Sequence, residues 1–167
     1  MMNLIEDYQL DNVWEAKTPE IRAEIMAFWL RVGALPTREE AEKRVDQVII
    51  VARTVADRQI VAVSSVYLQV NLQLGYPCYY FRCFVEEHHR RASLAFHLLL
   101  AARQELNARF VSGENSQAIG MVIEVQNEAL RHFRNEAVWP RSGFVYIGRN
   151  GRGDPVRVSY FDGARLS

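Results

Sequence analysis

A polar turn between an apolar strand and an apolar helix holds the residues whose spacing points most directly to chemistry. The turn covers residues 86–93 and reads EEHHRRAS; a strand pattern at residues 78–85 precedes it and a helical pattern follows. The first backbone N–H groups of a helix have no intrahelical partner and carry the positive end of the helix dipole, so an anion can accept their hydrogen bonds. Small side chains at Ala92, Ser93 and Ala95 leave room for a diphosphate. The turn therefore predicts a phosphate site.

Two charged residues lie in apolar strand patterns in the middle of the chain. Alternation places Arg82 on the same face as Tyr80 and Phe84, and it turns Glu124 away from its neighbours in residues 120–125. Because buried charges are usually paired, this pattern predicts an ion pair between Arg82 and Glu124 with a structural role. Two functional alternatives stay open: Arg82 can bind a substrate carboxylate, and Glu124 can act as a general base.

Neither the histidine pair nor the cysteine pair has the pattern of a metal site. The adjacent His88 and His89 point in different directions and no third ligand is spaced to join them, so we expect no metal. Cys78 and Cys83 have neither metal-ligand spacing nor the pattern of a disulfide framework. A strand cysteine without an evident base is usually a small core residue, and we do not expect Cys83 to carry an acyl group.

The composition is that of an ordinary globular protein. With 167 residues, of which 49% are hydrophobic and 24% charged, the chain can form a proper core, and we predict a single domain over residues 1–167. A formal net charge of zero argues against a general nucleic-acid binder. The acidic N-terminus has no signal-peptide pattern, and no apolar run approaches the roughly 20 residues that span a bilayer. We therefore expect a cytoplasmic protein that binds neither nucleic acid nor membrane.

Two helices are predicted before the main strand patterns. Residues 19–32 have apolar side chains at helical spacing, with Thr18 as the N-cap and Pro19 at the first helical position. Residues 37–40 form a capping box that opens a second, short helix. Its apolar residues share one side: Ala41, Val45 and Val48.

Six strand patterns and two further helices complete the chain. Strands are predicted at residues 48–55, 60–74, 78–85, 120–125, 144–149 and 156–161. Helices are predicted from Leu94 to about residue 108 and at residues 127–135. A helix that joins two strands of one sheet makes those strands parallel. We therefore expect the third and fourth strand patterns to pair in parallel.

The element order and the turn together resemble the GNAT superfamily of acyl-CoA-dependent N-acyltransferases, over nearly the whole chain. The family's signature, Gln/Arg-x-x-Gly-x-Gly/Ala, lies between its fourth strand and the following helix. Residues 90–95 match it at Arg90 and Ala95 and have Ser93 where the family usually has glycine. The resemblance implies an α/β (α+β) fold of GNAT type: a central mixed, mostly antiparallel sheet with a splayed parallel strand pair, flanked by helices on both faces.

The resemblance also implies that the chain binds acetyl-CoA as an acyl donor. In the family, the signature turn wraps the diphosphate of coenzyme A, and the pantetheine arm lies between the splayed strands. Backbone groups of Phe84 and Val85 are therefore expected to face the pantetheine and the thioester. The residues expected around the diphosphate are Arg90, Arg91, Ala92, Ser93, Leu94 and Ala95.

A second matching place follows residues 120–125. The family often has an asparagine there and, further along on a helix, a tyrosine that protonates the departing thiolate. Asn127 supplies the asparagine, but Phe133 occupies the tyrosine position. Phe133 can pack on the pantetheine and cannot donate a proton. His132, Tyr146 or water would have to replace the tyrosine, or the thiolate leaves unassisted, since a thiol with a pKa near ~8.5 is a tolerable leaving group.

The candidate catalytic groups are Glu124, Glu86 and His132, because a general base or acid must reach the reacting amine or thiolate directly or through one water. The remaining turn residues 87–89 are alternatives for the base. Arg82 and Trp139 are candidates for binding the acceptor, Trp139 because it lies in an aromatic-proline loop; alternatively Trp139 only covers the core.

Two functions fit these observations. The first is an acetyl-CoA-dependent N-acetyltransferase that transfers an acetyl group to a primary amine of an unidentified small molecule or peptide, by direct attack in a ternary complex. The alternative is a non-catalytic GNAT-fold protein that binds acyl-CoA or another ligand, which Ser93 and Phe133 motivate as departures at functional positions. A purely structural domain would have an occluded strand splay. Because the family often dimerises, the resemblance also implies a homodimer.

Overall fold

The computed structural model describes residues 4–90 and 93–167, without the side chains of Leu4, Ile5, Ala129 and Phe133. Within these residues the α-helices are α1 (Pro19–Val32), α2 (Arg38–Arg44), α3 (Leu94–Ser112) and α4 (Glu128–Phe133). The strands are β1 (Tyr8–Asn12), β2 (Val48–Thr54), β3 (Ile60–Asn71), β4 (Tyr76–Val85), β5 (Gly120–Glu124), β6 (Val145–Arg149) and β7 (Pro155–Tyr160). Short 3-10 helices cover Leu4–Asp7, Val45–Gln47 and Glu87–His89.

The strands form one mixed sheet in the order β1-β2-β3-β4-β5-β7-β6. β4 and β5 are parallel, with Tyr79 paired to Met121 and Tyr80 to Val122, as the crossover through α3 requires. The registers of β1 with β2, β2 with β3, β5 with β7 and β6 with β7 are antiparallel. The predicted fold class is confirmed: a mixed α/β sheet with this parallel pair, flanked by helices. The splay of the pair stays a prediction.

β1 is not among the predicted strands, and some of the predicted element boundaries are wrong. β1 reads YQLDN, and its Asp and Asn are residue types depleted in strands, so local pattern gives little signal. It forms because all five of its residues pair with β2. The helix α2 ends at Arg44, so that Val45 lies in a 3-10 helix and Val48 begins β2. The prediction that placed both valines on α2 was wrong.

The described chain divides into two compact units, and strands β3 and β4 contribute to both. The first unit comprises Met1–Val66 and Arg82–Ala102, and the second comprises Tyr67–Phe81 and Arg103–Ser167. The single domain over residues 1–167 stays a prediction.

In the first unit, α1 packs its apolar face on the sheet. Its N-cap is the one expected: the Thr18 hydroxyl oxygen accepts a hydrogen bond from the backbone N–H of Ile21 at 3.2 Å, and Pro19 follows. The helix ends at Gly33, whose φ of 69° is left-handed. The buried residues Ile25, Phe28 and Trp29 belong to the same core cluster as Val48, Val51 and Val63. This packing fixes α1 against β2 and β3.

In the second unit, one face of β7 is apolar and the opposite face is polar. Val156 and Val158 pack with Cys78, Tyr80 and Val122. Alternation turns Arg157 and Ser159 to the opposite face, and both are nevertheless buried. Gly120 allows β5 to approach β7, because a Cβ there would lie 2.6 Å from the Ser159 carbonyl oxygen. Within the described residues, no helix has the length and apolar character needed to cross a membrane.

Candidate functional site

The strand, turn and helix predicted around the phosphate site are present in the first unit. β4 ends at Val85, and the backbone N–H of Glu86 donates to the carbonyl of Val61 at 2.8 Å, which holds the start of the turn on β3. The 3-10 helix Glu87–His89 follows, and α3 begins at Leu94. The backbone carbonyl of Ser93 accepts the first helical hydrogen bond, from His97 at 3.1 Å. Ser93 is therefore the last residue before the helix.

Ser93 has a left-handed backbone, with a φ of 53°. This region costs an L-residue roughly 1–2 kcal/mol, because Cβ crowds the carbonyl, whereas glycine enters it freely. The next residue, Leu94, is 1% exposed and anchors the helix start in the core, while Ser93 and Ala95 are exposed. The position at which the GNAT signature usually has glycine thus has the conformation that glycine favours. A serine in the sequence does not reveal this.

Arg90 packs back onto the end of β4. Its Nε donates to the backbone carbonyl of Val85 at 2.8 Å, and its guanidinium carbon lies 5.3 Å from the centre of the Phe84 ring. Phe84 in turn packs edge-to-face on Phe28 of α1, with ring centres 6.4 Å apart. Three of the residues predicted to bind the acyl donor, Phe84, Val85 and Arg90, are therefore in mutual contact. Arg91 and Ala92 lie outside the described residues.

Glu86 and His89 of the turn have specific partners. The carboxylate of Glu86 pairs with Arg31 of α1 at 2.6 Å and lies 3.9 Å from Nε2 of His89. Nδ1 of His89 is 2.8 Å from the hydroxyl of Tyr8, which begins β1. Neither Arg31 nor Tyr8 was predicted to contact the turn. The contact of Tyr8 with His89 could have been predicted only if residues 8–12 had been recognised as a strand.

Hydrogen-bond partners are described for both Arg82 and Glu124. In the first unit, Nη2 of Arg82 donates a hydrogen bond to the side-chain oxygen of Gln47 at 2.6 Å. In the second unit, Glu124 accepts a hydrogen bond from Asn150 at 2.6 Å and lies 3.7 Å from Arg152. The predicted ion pair between Arg82 and Glu124, which belong to different units, stays a prediction.

The helix α4 follows β5 at the predicted place. Asn127 is its N-cap, and its side-chain oxygen accepts from the backbone N–H of Leu130 at 3.1 Å. His132 is exposed, and Phe133 is the last residue of the helix. The structure therefore gives Asn127 a capping role, and any contact of Asn127 or Phe133 with an acyl donor stays a prediction.

Trp139 is buried, with 8% of its surface exposed. Its indole Nε1 donates to the backbone carbonyl of Arg134 at 2.9 Å, its ring centre lies 6.3 Å from that of Phe144, and the guanidinium carbon of Arg157 lies 4.5 Å from its ring centre. These contacts fit the alternative in which Trp139 covers the core. Arg157 is an arginine between buried valines of β7, and that pattern could have marked it in the sequence.

The two cysteines are poor nucleophiles. Burial raises the pKa of the Cys83 thiol to about 12 and that of Cys78 to about 11, so both are neutral thiols at neutral pH. Among residues 4–90 and 93–167, no three side chains of the metal-binding types are grouped so that they could hold a metal ion.

Comparisons with known proteins find similar solved structures. No family model and no curated protein matches the sequence. A GNAT-family acetyltransferase from Streptococcus pneumoniae has a similar structure, with a TM-score of 0.60, 15% identity, and coverage of 92% of this chain and 99% of that one. The ribosomal-protein-S5-alanine acetyltransferase from Vibrio fischeri has a TM-score of 0.59 and 11% identity, and the match covers 96% of each chain.

A third similar structure contains the expected acyl donor. It is a GNAT-family acetyltransferase from Brucella melitensis in complex with acetyl-CoA, with a TM-score of 0.51, 15% identity, and coverage of 96% of this chain and 92% of that one. These likenesses extend over nearly the whole of each chain at low identity, and they therefore identify the fold.

Proposed function

The chain has the GNAT fold, and we propose that it is an acetyl-CoA-dependent N-acetyltransferase that acts on a primary amine. One observation carries this proposal: Ser93, at the position between β4 and α3 where the GNAT signature usually has glycine, has the left-handed backbone that glycine adopts most readily. A non-glycine residue in this region needs its surroundings to hold it there, and such strain often occurs at functional sites. The exposed Ser93 and Ala95 leave the start of α3 accessible to an anion.

In the proposed donor site, the residues of the first unit hold coenzyme A. Backbone groups of Phe84 and Val85 face the pantetheine, and Arg90 stands beside the diphosphate with Ser93, Leu94 and Ala95. Two observations support this assignment. Arg90 is positioned by Val85 and Phe84, so little side-chain entropy remains to be lost on binding. The fully buried Leu94 holds the helix start in place. Arg91 and Ala92 belong to the same proposal on sequence alone, as do Asn127 and Phe133 of the second unit.

The proposed transfer is a direct attack in a ternary complex. The amine nitrogen forms a bond to the thioester carbonyl carbon, the carbon–sulfur bond breaks, and the thiolate leaves as coenzyme A. The amine proton passes to a general base, and a proton returns to the thiolate. Glu124 suits the base better than Glu86. The charged Arg31 lies 2.6 Å from Glu86, whereas the donor closest to Glu124 is the neutral amide of Asn150 and the charged Arg152 is farther away, at 3.7 Å. His132 is proposed as the acid.

The acceptor is proposed to be a small molecule or a peptide with a primary amine. Arg82 and Trp139 are the residues proposed to contact it. We further propose that the protein acts in the cytoplasm without nucleic acid or membrane, uses no metal, and forms a homodimer.

The proposal is tested by titrating the full chain with acetyl-CoA in a calorimeter. We expect saturable binding, about tenfold weaker in Arg90→Ala, because a hydrogen bond to a charged group contributes ~1.5 kcal/mol or more. Replacement of the exposed Arg165 by alanine is the matched control and should leave the affinity unchanged. Absence of saturation at millimolar acetyl-CoA would overturn the proposal. Equal affinities of Arg90→Ala and Arg165→Ala for acetyl-CoA would show that Arg90 does not contribute to binding.

A second function, acyl-CoA binding without transfer, is favoured by Phe133, which stands where the family has its proton-donating tyrosine. The two functions are separated by incubating the chain with acetyl-CoA and a panel of primary amines and measuring acetylated product by mass spectrometry. Formation of an acetylated amine would show that the chain is an enzyme. Binding without product from any amine favours the binding protein, and in that case Phe133→Tyr should introduce measurable turnover.

A further inference from the structure

A cavity of about 250 Å³ lies within the second unit, lined by residues of α4 and the segment after it and by residues of β6 and β7. Four of the residues that line it are arginines: Arg131, Arg134, Arg149 and Arg157. Tyr146 adds a phenol, and the described lining residues include no aspartate or glutamate. The wall of this cavity is therefore strongly biased towards positive charge.

Arg157 is the unusual member of this set because it is buried, with 3% of its surface exposed. Its Nη2 donates to the backbone carbonyl of Arg134 at 3.3 Å, and its guanidinium carbon lies 4.5 Å from the centre of the Trp139 ring. Nε and Nη1 are both buried, and neither has a hydrogen-bond partner within the described part of the chain. Buried charges in proteins are normally paired and hydrogen-bonded, so this guanidinium lacks its expected partner.

The nearby carboxylates are engaged by other arginines. Asp154 accepts hydrogen bonds from both Arg131 and Arg152, and Arg131 further donates from Nε to the carbonyl of Val125 at 3.0 Å. Glu136 lies 3.9 Å from Arg134, and its side chain is 44% exposed. Arg131 and Arg134 are thus paired with carboxylates, whereas within the described residues no carboxylate forms an ion pair with Arg157, on which Glu136 acts only through its electrostatic field. Burial accordingly lowers the pKa of Arg157.

We propose that this cavity binds a small oxyanion, a carboxylate or a phosphate, that accepts hydrogen bonds from the uncommitted N–H groups of Arg157. A guanidinium suits either anion, since its planar donors match the oxygens of both. Stacking on Trp139 holds the guanidinium in the cavity wall before the anion arrives, which reduces the ordering that binding requires. This inference does not rest on the proposed acetyl transfer.

The test is thermal unfolding of the full chain at constant ionic strength in chloride buffer, without acetyl-CoA. The probes are succinate, inorganic phosphate and, as a neutral control, acetamide. We expect a saturable rise in Tm with at least one anion and none with acetamide. The anion with the larger effect at equal concentration identifies the carboxylate or the phosphate as the ligand class. No saturable rise with either anion overturns the proposal.

Two variants assign the effect to the cavity. Arg157→Met should weaken the anion affinity at least tenfold, and Arg165→Met, at an exposed position, should respond like the unmodified chain. An undiminished response in Arg157→Met overturns the assignment. Should that variant not fold, the arginine Nε–H signals of the ¹⁵N-labelled unmodified chain decide the matter. One of them, absent in Arg157→Lys, should shift saturably with the anion, and a spectrum that does not shift counts against the site.

Discussion

The hydroxyl of Tyr8 lies 2.8 Å from Nδ1 of His89, and the two rings meet edge-to-face with centres 5.6 Å apart. Tyr8 is the first residue of β1, and His89 ends the 3-10 helix of the turn that follows β4. His89 also lies 3.9 Å from Glu86, which Arg31 of α1 holds at 2.6 Å. β1 and α1 of the first unit thus hold the turn in position through these contacts.

Replacement of Tyr8 by phenylalanine should loosen this turn. We expect Tyr8→Phe to lower the free energy of unfolding by about 1 kcal/mol, the usual contribution of one hydrogen bond, and to weaken acetyl-CoA binding because the turn leads into the proposed diphosphate site. Urea unfolding and calorimetric titration measure the two effects. Tyr160→Phe, at an exposed position of β7, is the control. Identical behaviour of the two variants would show that the Tyr8 hydroxyl does not support the turn.

Replacement of Ser93 by glycine should stabilise the protein. The left-handed φ of 53° costs serine roughly 1–2 kcal/mol, and the greater freedom of glycine in the unfolded chain offsets about 0.5–1 kcal/mol of this. We therefore expect Ser93→Gly to raise the free energy of unfolding by about 0.5–1 kcal/mol and to retain acetyl-CoA binding. In Ser93→Val both quantities should fall, since β-branched residues rarely adopt this region.

The matched control for the glycine is Ser116→Gly. Ser116 is exposed and is not among the described residues with a positive φ, so glycine there only increases the freedom of the unfolded chain and should destabilise. A loss of stability in Ser93→Gly equal to that in Ser116→Gly would contradict the left-handed conformation of Ser93. Denaturant midpoints at constant slope provide the comparison.

The parts of the fold that could be predicted are those that local chemistry determines. Thr18 and Pro19 specify the start of α1 through a cap that acts within one turn, and the helical pattern after Leu94 requires a parallel crossover. β1 could not be predicted, because its residues are held by pairing with β2 and not by their own propensity. Contacts that depend on β1, such as that of Tyr8 with His89, therefore could not be predicted either.

The candidate site likewise has features that the sequence predicts and features that it does not. The GNAT signature located the turn, but the left-handed conformation of Ser93 arises from how the chain enters α3, and serine itself does not encode it. Alternation correctly put Arg82 and Glu124 inside strands. It could not name Gln47 and Asn150 as their partners, since these come from a 3-10 helix and a hairpin loop distant in sequence.

The two cysteine thiols should make stability depend on pH in alkaline solution. In the unfolded chain they ionise near ~8.5, whereas in the folded chain burial raises the pKa of Cys78 to about 11 and that of Cys83 to about 12. The unfolded state therefore releases protons first as the pH rises. Stability is fully present below about pH 8.5 and falls towards pH 11, by up to ~1.4 kcal/mol per pH unit for each thiol.

The double variant Cys78→Ala/Cys83→Ala isolates this effect. Urea unfolding from pH 7 to 10.5, with reductant present, should show a smaller alkaline loss in the variant than in the unmodified chain. The difference at pH 7 gives the packing cost of the substitutions, because both thiols are neutral there in either state. Curves that stay parallel up to pH 10.5 would show that the thiols ionise in the folded protein at their ordinary pKa.

Replacement of Glu124 by glutamine should separate catalysis from donor binding. If Glu124 is the general base of the proposed transfer, Glu124→Gln keeps an oxygen that can accept the hydrogen bond of Asn150 but cannot take up the amine proton. We expect kcat to fall by about 10² or more, with the calorimetric affinity for acetyl-CoA unchanged. Steady-state kinetics with an amine that the panel identifies provides the measurement.

Two other Glu-to-Gln variants distinguish this role from a general charge effect. Glu86→Gln removes the charge that pairs with Arg31 beside the turn, so its main effect should be on acetyl-CoA affinity. Glu128→Gln, on α4 with a side chain 92% exposed, should change neither quantity. A kcat of Glu124→Gln within threefold of that of Glu128→Gln would exclude Glu124 as the base. A large loss of kcat confined to Glu86→Gln would assign the role of base to Glu86 in the turn of the first unit, because a general base must lie close to the reacting amine.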